Sequence, residues 1–419
     1  MIINSCEQLA YGKGTVIVRI VFNATKVELK VTQLCAMLLL IYEMWYIPKF
    51  DAIPYVLQGL TLCLLLSVLG YYTRHLLYYN KAIPKELSFW WMLVGIYSIV
   101  VGAFVAINKN YFVDCMITYF AFLVICIICA IISYECKNID WIWKTIIFAD
   151  ILCALSCIFD GYDYATEVIV TTMGPNNNPN LLGINMVLGL AGIMYCFKTL
   201  KTKWIAFVGI SLFTFIIVIC GSRKALLAAI VLIMLWIVFE FRIYFKHIKP
   251  EYKIIYIIIT TIIVFFFSGY IINMYLNSGS FERMVELLNG WSNNSRLSLY
   301  KTGWKLFKDN ILFGIGFGQY KVVAGYNLYS HSTYIESLSC LGLFGSILYF
   351  VPYIKLMFFY INSVINRELN SDKRISIMLF VVLLFLGIGM IHFYELSVMI
   401  ALSTLFMYKN KDKISWYQD

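Results

Sequence analysis

Charge is what this chain has least of: only 13% of its 419 residues are Asp, Glu, Lys or Arg, against roughly 25% in soluble domains. A water-soluble globule of this size would lack the polar side chains to coat its surface. That excludes a soluble enzyme, a disordered chain and, despite the net charge of +10, a nucleic-acid module. Cys126 and Cys129 form a CxxC, but the second pair that a zinc site would need is missing. The 12 cysteines are scattered, mostly through apolar runs, where a thiol is one more small apolar side chain. They imply neither a disulfide framework nor a metal. No low-complexity tract and no internal repeat is present.

What is there is apolar: 61% hydrophobic and 17% aromatic residues, with a mean hydropathy of +0.80. About 20 residues of helix cross a bilayer core about 30 Å thick. Runs of fitting length lie near 31–47, 53–72, 88–107, 111–133, 141–160, 181–197, 203–220, 224–244, 252–276, 334–359, 375–391 and 395–408. The expected fold is therefore all-α, a polytopic transmembrane helical bundle of about 12 spans. Residues 1–30 read as a cytoplasmic lead-in, 31–408 as a single transmembrane domain and 409–419 as a cytoplasmic tail. Trp45, Trp90, Trp91, Trp141, Trp143 and Trp204 fall at span ends, where an aromatic belt is expected.

Orientation follows from the basic residues. With both termini in the cytoplasm, 23 of the 33 Lys and Arg fall on cytoplasmic segments, as the positive-inside rule requires. Six of the remaining ten lie in one long external loop, about 277–333. Within it Leu297, Tyr300, Trp304 and Phe307 recur at helical spacing, with Lys301, Lys305 and Lys308 between them. This pattern predicts an amphipathic helix over 295–310, lying on the membrane or across the bundle.

Three basic or titratable groups fall on the external side. Arg223 follows Gly221-Ser222 at the outer end of the eighth span, with Lys224 beside it. Arg296 begins the amphipathic helix, and His331 lies where the loop re-enters the membrane, in His331-Ser332-Thr333-Tyr334-Ile335-Glu336. Guanidinium groups match phosphate oxygens and keep their charge. A nearby histidine can take a proton from an attacking hydroxyl at neutral pH. His392, near Glu395 in the last external turn, is a reserve candidate. Asp150, in the middle of the fifth span, is an intramembrane carboxyl that could line a cavity or pair with a polar helix face.

The order of these parts resembles the O-antigen ligase and O-antigen polymerase superfamily of bacterial envelope glycan transferases. The matching residues are Gly221-Ser222-Arg223, Arg296, Trp304, the run from Asp309 to Gly318, His331 to Glu336, and Leu341-Gly342-Leu343-Phe344-Gly345. The turn Asn178-Pro179-Asn180 resembles the family's Asn-Pro-Asn turn. The resemblance implies glycan transfer from an undecaprenyl pyrophosphate-linked donor, with no metal and no cofactor, in the bacterial inner membrane. It implies that Arg223 and Arg296 bind the donor pyrophosphate and that His331 deprotonates the acceptor hydroxyl. Lys224, Glu336, Ser332 and Asp150 are supporting candidates. The family often has His-Asn where this chain has His331-Ser332. The expected reaction is polymerisation of lipid-linked repeat units into O-antigen or capsular polysaccharide, with a chain-length regulator and a flippase as possible partners. The alternatives are a ligase that moves the glycan to lipid A core or protein, and a lipid-linked glycan flippase. A flippase would show midplane charges and repeated halves; Asp150 is the one midplane charge in the sequence reading.

Overall fold

The computed structural model describes residues 29–46, 54–76, 86–136, 138–159, 179–197, 203–220, 222–241, 295–325 and 328–415. They are helical throughout, with no strand among the described residues. In chain order the helices are α1 (29–46, ending in a π turn), α2 (Pro54–Leu76), α3 (Glu86–Val105), α4 (Lys109–Glu135), α5 (Asp140–Phe159) and α6 (Pro179–Cys196). Then come α7 (Lys203–Ile219), α8 (Arg223–Trp236), α9 (Ser295–Asp309), the single turn α10 (Tyr320–Val323), α11 (Thr333–Ile365), α12 (Ser371–Leu386) and α13 (Leu396–Ser415).

Two helices form the interior. Residues 182–196 of α6 and 396–408 of α13 are buried all round, as expected of a helix that is apolar on every face. Around them α5, α7 and α8 pack on α6, while α4 and α12 pack on α13. Outward-facing positions carry large apolar side chains, among them Leu62, Leu66 and Leu69 on α2, Phe104 on α3 and Ile117 on α4. Water would penalise such a surface; lipid does not. Three helices, α4, α5 and α11, are both long and apolar enough to cross a bilayer, and several shorter ones are equally apolar. The all-helical membrane bundle expected from composition is therefore what folds. The run read as a ninth span, 252–276, and the first part of the long loop lie outside the described residues.

The aromatic-belt expectation is met by Trp204, which is 64% exposed, while Trp45 and Trp90 are half-buried and three others depart from it. Trp91, Trp141 and Trp143 are interior. The Trp141 indole donates to Ser133 Oγ (3.0 Å) and that of Trp143 to Tyr408 Oη (3.1 Å). A buried indole N–H that finds such an acceptor is stable inside a bundle.

The helix expected over 295–310 is present as α9 and packs on α11. Its docked stripe is the buried Leu299 and Gly303 with the half-buried Leu306, offset from the apolar positions that marked it in the sequence. Of those, Leu297 and Trp304 remain exposed, so the helix shows one apolar face to the bundle and a second outward. The following Gly-rich loop is stitched to α11 by its backbone: Ile315 N–H donates to Ser339 O and Gly316 N–H to Cys340 O, both at 2.9 Å. In return Leu343 N–H donates to Ile311 O at 2.7 Å. This exchange is possible because α11 breaks at Gly342, whose φ is 65°.

Candidate functional site

A cavity of about 380 Å³ opens where five helices begin. Its wall takes Tyr111, Asp114, Cys115 and Thr118 from the first turns of α4, and Asn180, Leu181 and Ile184 from those of α6. Lys224 comes from the first turn of α8, His331 from the approach to α11, and Tyr394 and Glu395 from the approach to α13. Each helix start carries roughly half a positive charge from its unpaired N–H groups. Five of them around one cavity favour an anion there before any side chain is counted.

His331 enters this wall in a left-handed conformation, φ 58°, which a non-glycine residue adopts only when its surroundings impose it. The surroundings are specific. The buried carboxylate of Glu336 accepts the Ser330 N–H (2.9 Å), and Ser330 Oγ donates to Ser332 O (3.0 Å). Ser332 Oγ donates to Gly387 O (3.4 Å). Thr333 then fastens the start of α11 to the α12–α13 turn. Its N–H reaches Gly387 O and Met390 O (2.8 Å each), and its hydroxyl donates to Met390 O (2.7 Å) and accepts His392 N–H (3.0 Å). Glu336 and Ser332 therefore hold the backbone on either side of His331 and leave its ring alone. The ring rests against Tyr329, with centroids 4.5 Å apart, and makes no hydrogen bond among the described residues.

Lys224 is half-buried, and its ammonium donates to Gly389 O. Arg296 is exposed on the first turn of α9. Both bear on His331: burial first, then Lys224, then Arg296 push the imidazole down to about 4. The ring is accordingly neutral at pH 7, with a lone pair available. Next to Arg296 on the same helix, Tyr300 Oη donates to Ile388 O (2.8 Å), tying α9 to the turn that also holds Thr333.

Of the residues singled out from sequence, the structure gathers His331, Lys224 and Arg296 at one end of the bundle, although they are far apart in the chain. Glu336 and Ser332 lie directly beneath. Neither Arg296 nor Arg223 is part of the cavity wall, and Arg223 is half-buried one position before Lys224; successive helical residues differ by about 100° in direction. Its helix start is nonetheless tied to the cavity, since the N-cap Ser222 donates to Asn180 Oδ1 (3.0 Å). Asp150 is fully buried on α5, close against the backbone of Gly189, and takes no part in the wall. His392 is also interior, with Nδ1 2.9 Å from Tyr353 Oη. Sequence reasoning passed over Asp114, and noted Glu395 only as a neighbour of His392. The available signal was an ionisable residue at the start of an apolar span.

In comparison with known proteins, the family model described as O-antigen ligase fits residues 207–350. The matched segment contains Arg223, Lys224, Arg296, His331 and Glu336 and ends within α11; the walls from α4, α6 and α13 lie outside it. A search of curated proteins found no match. Over residues 207–350 this membrane protein is thus similar to the O-antigen ligase family, which supports the resemblance to the O-antigen ligase and polymerase superfamily read from its sequence.

Proposed function

We propose that the protein is a glycosyltransferase that polymerises undecaprenyl pyrophosphate-linked oligosaccharide repeat units at the external face of the bacterial cytoplasmic membrane. The observation that carries this reading is the cavity at five helix starts, with the unpartnered ring of His331 facing into it beside Lys224 and under the field of Arg296.

The donor pyrophosphate binds to Lys224 and Arg296, with Arg223 assisting from the adjoining face of α8. The acceptor hydroxyl oxygen attacks the anomeric carbon, and the bond from that carbon to the pyrophosphate oxygen breaks. The bonding pair leaves on the pyrophosphate, and the hydroxyl proton passes to His331. Fixed cations and helix starts stabilise the charge that grows on the leaving group. Their effect is greater in a cavity partly withdrawn from water. The left-handed turn at His331 fixes the direction of its ring, and the Glu336–Ser330 contact maintains that turn.

The test is incubation of the purified protein with a polyprenyl pyrophosphate-linked repeat unit, followed by analysis of the products. Longer chains on the same lipid support polymerisation. Chains appearing only when lipid A core is added make the protein a ligase, and unmodified repeats carried across a vesicle membrane make it a flippase.

A further inference from the structure

With the arginines outside it, the cavity wall holds two lysines among the described residues, Lys224 and Lys321. Lys321 has no part in the reaction as described above, yet its place is fixed from both sides. It sits in the single turn α10. The fully buried Gln319, just before that turn, offers its side-chain amide to the backbone of Asn108: Oε1 accepts the N–H (2.9 Å) and Nε2 donates to the carbonyl (3.2 Å). Asn108 is the N-cap of α4, its Oδ1 accepting the Tyr111 N–H (3.0 Å). On the other side the buried Tyr320 donates its hydroxyl to Leu299 O of α9 (2.5 Å). The turn is thus fastened to both α4 and α9, and the Lys321 ammonium comes to lie over the Tyr111 ring, 5.7 Å from its centroid.

A ring face attracts the charge without taking up the three N–H donors of an ammonium. Lys321 makes no hydrogen bond or ion pair among the described residues. Asp114 and Glu395 also line the cavity, and neither lies within ion-pair distance of it. Lys109, in the first turn of α4, shows the alternative: its ammonium is taken up by Gly102 O (3.1 Å) and Ala103 O (2.6 Å). The two wall lysines also mark different parts of the cavity. Lys224 and Arg296 bear on His331, and Lys321 does not.

From this we infer that Lys321 is a second oxyanion-binding residue of the cavity, and that it takes the lipid-linked phosphoryl group of the donor while Lys224, with Arg296, takes the sugar-linked one. The inference rests on the proposed glycosyl transfer. A pyrophosphate carries charge on both phosphoryl groups, and a lysine is a compact point charge that serves one of them. Two lysines in different parts of one cavity hold the pyrophosphate lengthwise. The sugar-linked end, whose bond breaks, is then the end turned toward His331. The same arrangement discriminates, since a monophosphate fills one position and leaves the other ammonium unpaired.

The experiment measures binding to the full-length protein in nanodiscs. Fluorescence titration compares polyprenyl pyrophosphate with polyprenyl monophosphate. Saturation-transfer NMR follows methyl glucuronoside, whose oxyanion comes from a sugar instead. Lys321→Gln weakens pyrophosphate binding by roughly tenfold, the loss of one charge-assisted contact. Monophosphate binding changes by no more than about twofold, because Lys224 still serves a single phosphoryl group. Lys321→Arg, which keeps a cation over Tyr111, keeps the preference for pyrophosphate. The acid limb of kcat/KM stays in place in Lys321→Gln and moves in Lys224→Ala. The inference is overturned if Lys321→Gln binds pyrophosphate as the wild type does, or if it weakens both lipids equally. It is also overturned if the loss falls on the glucuronoside alone, which would make the anion a charged sugar. A wild type that neither binds polyprenyl pyrophosphate nor extends a lipid-linked repeat overturns the glycosyl-transfer reading itself, a separate result.

Discussion

His331 is a base placed where its own charged form is disfavoured. Burial, Lys224 and Arg296 hold the free ring down to about 4. An anionic pyrophosphate bound to those cations cancels part of their field, so the ring becomes more basic when the donor is present. The sign of the pH dependence follows. The quantity kcat/KM, which reports the free enzyme, falls as pH drops through about 4, because protonation removes the lone pair. The acid limb of kcat, which reports the complex, lies at higher pH. Lys224→Ala removes the second-largest cause of the depression and moves the free-enzyme limb upward, toward the ordinary histidine value near 6.5. Coincident limbs in kcat and kcat/KM, unmoved by that substitution, would assign the profile to another group. A second expectation separates two neighbours that sequence treats alike. Lys224→Ala lowers donor affinity by roughly 10- to 100-fold, the loss expected for one charge-assisted contact, and Arg223→Ala lowers it less. Titration with polyprenyl pyrophosphate decides, and equal losses would return Arg223 to the cavity wall. That a basic pair opens α8 was legible in the sequence. Which member faces inward was not, since it depends on the rotation of α8 against α6 and α12.

At the scale of elements, the connection between α9 and α11 is held by backbone hydrogen bonds. Sequence shows Gly314, Gly316 and Gly342 as a loose pattern of glycines; the structure shows two backbones in direct exchange. A Cβ on Gly342 would lie 2.5 Å from both Gly314 N and Leu312 O, and its φ of 65° already disfavours any other residue. Gly325, at φ 76°, has open space around it. Gly342→Ala should therefore add a backbone clash to the conformational strain, which alone costs roughly 1–2 kcal/mol. Gly325→Ala should cost only that strain. The readouts are thermal melting in detergent and protease cleavage within 295–325: Gly342→Ala melts lower and is cut faster than Gly325→Ala. Donor binding should weaken with it, because Arg296 bears on His331 only while α9 stays docked on α11. Equal behaviour of the two variants would mean that the stitched loop does not hold α9. The existence of α9 was readable from its period. Its docked face was not, because Leu299, Gly303 and Leu306 form a second apolar stripe whose partner, α11, is remote in sequence.

For the whole molecule, the parity of the helices links sequence to site. Counting spans with the N-terminus in the cytoplasm makes six runs begin outside: 53–72, and then 111–133, 181–197, 224–244, 334–359 and 395–408. The structure places the starts of the last five, in α4, α6, α8, α11 and α13, around one cavity. Hydropathy and the distribution of Lys and Arg thus put these five helix starts in one group. They could not reveal that Asp114, Lys224, His331 and Glu395 converge, because convergence depends on how α6 and α13 are enclosed by their neighbours. The opposite end of the bundle is closed differently. Glu240, after α8, pairs with Arg374 Nε at 2.6 Å and accepts from Ser371 Oγ at 2.8 Å, joining α8 to α12. If the cavity end faces outward, single cysteines at Lys109 and Gly325, in a background without native cysteines, react with an impermeant maleimide on intact spheroplasts. Cysteines at Arg367 and Ser371 react only after permeabilisation. The reverse pattern would put the cavity in the cytoplasm, where a lipid-linked glycan displayed on the outer leaflet could not reach His331. The assignment of the donor site would then fall together with the orientation, whatever the purified protein bound.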